Sequence, residues 1–258
     1  MPSIHVNEIQ MYFQDRGAGE PLLLLHGGMG IGADWAHVFP EDPPGYRLIV
    51  PDLRGHGRST NPSGTFTFKQ CARDVLALVD HLGLPVVSAI GMSMGAKTLL
   101  HVATARPRAI RAMVLVSATP RFPEPLRAAA AAFTRDAFDQ LSDSERATLR
   151  SRHLHGDDQI RALYDMTRSF ADSTDDMAFT AETLEAISAR TLIVHGDRDP
   201  LYPVELAVEL FRGIPAAALW VVPHGGHGPI FGPLAAAFRA AATAHLTVDR
   251  ESRRGSPA

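Results

Sequence analysis

A hydroxyl set between two glycines, Gly91-Met92-Ser93-Met94-Gly95, stands where the apolar run Val86 to Ile90 gives way to a helical pattern from Met94 onward. On so sharp a strand-to-helix turn a serine is held in strained backbone geometry with its hydroxyl exposed above the sheet, and side chains at 91 and 95 would collide with neighbouring backbone. The helix start also leaves free N–H groups and a positive dipole end beside the serine, which favour developing negative charge. Nucleophilic attack on a carbonyl is the chemistry this suits. A serine becomes a useful nucleophile only when a base takes its proton, and a third group must orient that base.

Downstream, Gly196-Asp197-Arg198-Asp199-Pro200 follows one strand-like run and Pro223-His224-Gly225-Gly226-His227-Gly228-Pro229 follows the next. His227 is preferred over its neighbour His224 because it sits at the far end of its loop, flanked by glycines that permit close approach. Asp197 and Asp199 compete as the acid. Asp199 is favoured because the strand must end and turn before the side chain can reach a histidine, and Pro200 fixes that turn. A tetrahedral intermediate needs two backbone donors: one is expected from the N–H of Met94, the other from His26-Gly27-Gly28-Met29, with Gly28 first and Met29 as the adjacent fallback. Met29, Ile230 and Phe231 are the expected apolar wall of a substrate pocket. Met92 reads as core, and for Met94 a wall and a core role both stand.

These residues need a frame that brings strand ends together. Ile4 to Val6 and Ile9 to Phe13 flank Asn7-Glu8 as a hairpin, and Leu22 to Leu25, Arg47 to Val50, Val86 to Ile90, Ala112 to Val116, Thr191 to Val194 and Leu219 to Val222 read as strands. Helical patterns fall around Asp34 to Phe39, Cys71 to Leu82, Met94 to Ala105, Val204 to Phe211 and Leu234 to His245. Strands alternating with helices predict a mostly parallel sheet covered on both faces. The interval 120–188 breaks the rhythm with helical starts near Glu124, Ser142, Asp157 and Thr174 and no strand, so it is expected to form a small all-helical cap. The core is expected over 1–119 and 189–246, with a polar, disordered tail over 247–258.

Composition narrows the partners. With 258 residues, 25 basic and 28 acidic side chains and a net charge of -3, a surface built to bind nucleic acid is not indicated. The single cysteine, Cys71, allows neither an internal disulfide nor a cysteine-rich zinc site, and it reads as a small buried side chain in a reducing setting. No apolar stretch approaches the roughly 20 residues that span a bilayer, and the amino terminus lacks a basic region followed by an apolar run. A cytoplasmic protein with no membrane partner is expected; self-association into a homo-oligomer stays compatible with the sequence.

Two rival constellations compete with this set. Gly28-Met29-Gly30-Ile31-Gly32-Ala33 fits a dinucleotide fingerprint with Asp52 as the ribose ligand, but the following helix is short and hemmed by prolines. His153-Leu154-His155-Gly156-Asp157-Asp158 suggests a metal cluster but follows a helix and reads as a solvated cap turn. Lys97, one of two lysines, reads as a surface or cap contact, and His26 as a structural residue holding its loop. Arg250, Arg253 and Arg254 read as solvated.

The set Leu24-Leu25-His26-Gly27-Gly28, Pro51-Asp52-Leu53-Arg54-Gly55-His56-Gly57-Arg58-Ser59, Gly91-Met92-Ser93-Met94-Gly95, Gly196-Asp197-Arg198-Asp199-Pro200 and Gly226-His227 resembles the α/β-hydrolase superfamily, from the hairpin to the last helix. The resemblance implies an α/β-hydrolase fold, with Ser93 as nucleophile, Asp199 as acid and His227 as base. A serine at 93 argues against the haloalkane dehalogenase and epoxide hydrolase branches, which use aspartate there. Ala96, where many relatives carry a further glycine, is a small departure. The expectation is a serine hydrolase that cleaves a small-molecule ester or lactone through an acyl-enzyme, with no metal or organic cofactor. Carbon–carbon hydrolysis, haloperoxidase-type perhydrolysis, and a lyase or ligand-binding protein on the same fold are the alternatives.

Overall fold

A computed structural model of the chain describes residues 2–254, with side chains through Thr247. Among the described residues, eight strands form one sheet: β1 (Ser3–Val6), β2 (Ile9–Gly17), β3 (Glu20–Leu25), β4 (Tyr46–Pro51), β5 (Val87–Met92), β6 (Ile110–Val116), β7 (Arg190–Gly196) and β8 (Ala217–Val222). Their spatial order is β1-β2-β4-β3-β5-β6-β7-β8. The β1–β2 and β2–β4 pairs are antiparallel and every other pair is parallel. From β3 the chain crosses to β4 on one side, then returns to place β5 on the other. Such a reversal opens a crevice beyond the carboxyl ends of the two strands. Leu25 pairs with Gly91 across it, which sets the loop after β3 beside the turn that carries Ser93.

Both faces of the sheet are covered, so its central strands are apolar without alternation. Leu23 and Leu25 face a core shared with α1 (Phe68–His81), α2 (Met94–Ala105) and α8 (Val204–Gly213). Leu22 and Leu24 point the other way, to Trp35 of the 3-10 helix Gly32–His37 and to Phe238 and Ala242 of α9 (Ala235–Arg254). This period of two is the pleat itself. The α9 helix continues past its expected end at His245. Residues 247–254 of the expected disordered tail are thus helical backbone, while residues 255–258 and the side chains of Arg250, Arg253 and Arg254, expected to be solvated, lie outside those described. No helix among the described residues is long and apolar enough to cross a membrane.

Between β6 and β7 lie α3 (Glu124–Ala131), α4 (Arg135–Asp139), α5 (Asp143–Arg152), α6 (Asp157–Ser169) and α7 (Ala181–Glu185). The Ser142 capping box is present, with Glu145 reaching back to the Ser142 amide. No helix starts at Thr174. Instead Asp176 accepts from the amides of Phe68 at 2.6 Å and Lys69 at 3.3 Å, and Met177 is buried in the core. A carboxylate satisfying the free amides at the start of α1 holds this segment out of helical conformation.

Candidate active site

Ser93 links β5 to α2 with φ +48° and ψ -104°, a conformation that side chains other than glycine rarely adopt. Its amide donates to the carbonyl of Val116 at 2.8 Å, which pins the turn to β6. The two glycines are there for space. A Cβ at Gly91 would stand 2.6 Å from the backbone of Gly95, and one at Gly95 would stand 2.2 Å from the carbonyl oxygen of Leu25. In both cases the obstacle is backbone, which cannot swing aside. Gly95→Ala is therefore expected to destabilise the protein by at least about 2 kcal/mol, read as a lower urea midpoint; a midpoint unchanged from wild type would refute the packing account.

Asp199 and His227, the expected acid and base, arrive on adjacent loops. Nδ1 of His227 donates to Oδ2 of Asp199 at 2.8 Å, while Oδ1 of Asp199 accepts from the amides of Leu201 at 2.9 Å and Tyr202 at 3.1 Å. Burial alone would raise the Asp199 pKa, but the hydrogen bond and charge of His227 and the two amide donors outweigh it, so the carboxyl is held below its ordinary value. The Arg198 amide donates to the carbonyl of Gly225 at 2.9 Å, tying the β7 and β8 loops together, and the Gly228 amide donates to Oγ of Ser117 at 3.1 Å. His224 and Asp197, the local rivals, are exposed and belong to no such pair. Ser93 and His227 line one cavity.

The loop after β3 closes this cavity from the opposite side. Gly28, Met29 and Met94 line it with Ser93, and among the described residues no hydrogen bond occupies the Gly28 amide. The Met94 amide is the first of α2 and has no partner within the helix. His26 holds the loop: its Nδ1 donates to the carbonyl of Gly27 at 2.7 Å and its Nε2 accepts from the Leu53 amide at 2.9 Å. Burial pushes its imidazole below the usual value, as suits a neutral structural histidine.

The dinucleotide alternative meets a direct obstacle here. Both carboxylate oxygens of Asp52 are already engaged, Oδ1 by the Gly32 amide at 2.8 Å and Oδ2 by the Arg58 amide at 2.9 Å. The side chain is a latch within its own loop. His153 also differs from expectation: it is fully buried, not solvated, and its Nδ1 accepts from the Gly57 amide at 3.0 Å. Burial pulls its imidazole down to about 4. Among the described residues no His, Cys, Asp and Glu cluster is arranged to hold a metal.

The cavity above Ser93 has a volume of about 210 Å³ and is walled by Met29, Leu126, Ala130, Phe133, Thr167 and Phe170, most of them from the helices between β6 and β7. Two expected wall residues lie elsewhere. Ile230 is fully buried in the core against α9, because the backbone turns between His227 and Ile230 and sends its side chain under the sheet edge. Phe231 is 37% exposed and lines a neighbouring groove with His26, Trp35 and Met92. A larger groove of about 700 Å³ beside α7 and α8 contains none of the residues discussed above as chemically active.

Two residues complete the cavity, Lys97, expected at the surface or cap, and Tyr202, which the sequence did not single out. Lys97 is not a surface contact: it is 2% exposed, and its Nζ donates to the Tyr202 hydroxyl at 2.8 Å. Tyr202 is fully buried, lines the cavity together with Ser93, and sets its ring edge-on to His227 at 5.1 Å. Desolvation pulls the Lys97 ammonium down to about 7 and pushes the Tyr202 phenol up. A signal existed for Lys97. It stands one helical turn after Ser93 in a helix otherwise built of Met94, Ala96, Leu99, Leu100, Val102 and Ala103, where a lysine has no solvent to reach.

Residues 20–232 match the family described as alpha/beta hydrolase fold. Over 242 residues the chain is 26% identical to the 2-hydroxy-6-oxo-6-(2'-aminophenyl)hexa-2,4-dienoic acid hydrolase of Metapseudomonas resinovorans, covering 87% of this chain and 83% of that one. Over 265 residues it is 28% identical to a non-heme haloperoxidase of Rhodococcus erythropolis, covering 88% and 93%. Among solved structures, the enol-lactonase from Burkholderia xenovorans LB400 superposes with a TM-score of 0.73 at 21% identity, over 96% and 98% of the two chains, a likeness of fold.

Proposed function

Because this chain belongs to the α/β-hydrolase family, we infer that it is a serine hydrolase in which Ser93, His227 and Asp199 act on the carbonyl of a small ester or lactone. The observation that carries this is the 2.8 Å bond from His227 to Asp199, set on the same cavity as a serine in strained backbone geometry. With Nδ1 committed to Asp199, Nε2 of His227 is the nitrogen free to take the Ser93 proton as Oγ adds to the carbonyl carbon. The carbonyl electron pair moves onto oxygen, which the amides of Gly28 and Met94 receive. Collapse of the adduct expels the alcohol, protonated by His227, and leaves an acyl-enzyme. Water then adds with His227 again as base, and the acid product leaves. The scheme calls on no cofactor.

A fluorophosphonate probe tests the assignment. Covalent labelling is expected for wild type and His224→Ala, abolished in Ser93→Ala and slowed at least about a hundredfold in His227→Ala. Labelling of Ser93→Ala at the wild-type rate would remove Ser93 from the mechanism. A second reading, hydrolysis of a carbon–carbon bond beside a carbonyl, is favoured by the likeness to the dienoic acid hydrolase. Turnover of a 2-hydroxy-6-oxo dienoate by a protein inert toward activated esters would select it.

A further inference from the structure

The Lys97 ammonium has three donors, and among the described residues only the Tyr202 hydroxyl accepts from it. Three phenylalanine rings stand around Nζ, Phe68 at 4.6 Å, Phe122 at 5.2 Å and Phe170 at 5.4 Å, with the Tyr202 ring at 5.4 Å. Ring faces attract a cation but accept no full hydrogen bond. The carboxylate felt most at Lys97, that of Asp176, is already engaged by the Phe68 and Lys69 amides. A buried cation left without an anion is expensive to keep. Yet Nζ is not walled off: Lys97 lines the same cavity as Ser93, Met29 and His227. Side chains on a helix lean toward its N-terminus, so the stem of Lys97 runs back toward the Ser93 turn.

We propose that Lys97, held by the Tyr202 hydroxyl, is an anion-binding subsite of this cavity, and that the acyl part of the substrate carries a carboxylate a few bonds from the carbonyl that Ser93 attacks. The spacing follows from the helix. Lys97 stands four residues, about 6 Å of helical rise, after Ser93 and lines the same cavity, so a carboxylate on a short methylene chain spans the gap. The ligand supplies the missing acceptors, and burial that costs the free protein stability strengthens the bound ion pair. The burial that brings the ammonium down to about 7 acts in the same direction, since an anion beside it restores the charged form. The placement of the carboxylate on the acyl side rests on the reading of Ser93 as nucleophile; the anion site itself does not.

Two measurements separate these claims. The first compares p-nitrophenyl hydrogen glutarate with p-nitrophenyl valerate, acyl chains alike except for the terminal group. Wild type is expected to prefer the glutarate in kcat/KM by about tenfold or more, and in Lys97→Met that ratio falls at least tenfold. A lysine that only props Tyr202 would slow both esters alike and leave the ratio unmoved, which would overturn the proposal. Tyr202→Phe, which keeps the ring against His227, is expected to lower the ratio without inverting it. The second measurement needs no turnover: calorimetric titration of Ser93→Ala with methyl hydrogen glutarate and with uncharged methyl valerate, repeated in Ser93→Ala/Lys97→Met. Tighter binding of glutarate that vanishes with Lys97 supports the subsite even if wild type cleaves neither ester, an outcome that would instead sink the hydrolase reading. Equal binding of the charged and the uncharged ester, with thermal melts showing both variants folded, overturns the subsite.

Discussion

In Ser93→Ala, kcat on an activated ester falls by about 10⁶-fold, and adding His227→Ala to it costs nothing further. On the proposed mechanism base and nucleophile act as a unit: without Oγ there is no proton for His227 to take, so the second deletion removes a function already lost. Asp199→Asn is expected to cost about 10⁴-fold, because an amide nitrogen at the Oδ2 position offers a donor where Nδ1 of His227 needs an acceptor and the imidazole turns to the wrong tautomer. The residual rate belongs to the Gly28 and Met94 amides and to binding. Steady-state kinetics on the three variants, with active-site titration to exclude wild-type carryover, decide the matter. Losses that multiply in the double variant would show two independent contributions and dissolve the unit.

The second large effect lies away from the cavity. Nε of Arg54 donates to Oδ2 of Asp74 at 2.8 Å and its Nη2 donates to Oδ1 at 3.0 Å, while Nδ2 of Asn7 donates to Oδ1 at 2.7 Å. Both charged side chains are almost fully buried, at 3% and 1% exposure. Asp74→Ala leaves the guanidinium stranded and is expected to destabilise the fold by about 3–5 kcal/mol. Replacing both, as Arg54→Met/Asp74→Leu, is expected to recover much of that, because what costs most is the uncompensated charge. Urea denaturation with a common m-value compares the two; a loss under about 1 kcal/mol in the single variant would mean that water reaches Arg54.

The main strands, the elbow and the acid and base loops were legible because each rests on a local rule: an unbroken apolar run, glycines where a Cβ has no room, a histidine and an aspartate just past strand ends. What was not legible depends on which way a side chain turns once elements pack. Ile230 sits three residues from His227, yet the turn between them sends one side chain to the cavity and the other into the core. A lysine's type points to the surface; only the packing of α1, the loop after β7 and the helices between β6 and β7 around α2 shuts Lys97 away from the outer surface and leaves it facing the cavity. The missing helix at Thr174 has the same origin, since the pull on Asp176 comes from amides more than a hundred positions earlier in the chain.

One short loop anchors two properties at once. The amide of Tyr202 holds the carboxylate that orients the base, while its hydroxyl holds the lysine that walls the cavity. Phe133 and Phe170, by contrast, line the cavity from outside that loop. An evolving lineage can therefore exchange those two rings and explore new acyl groups at little catalytic penalty, whereas changes within 199–202 alter turnover and selectivity together. Divergence of substrate preference on this scaffold is channelled toward the helical side of the cavity and away from the acid.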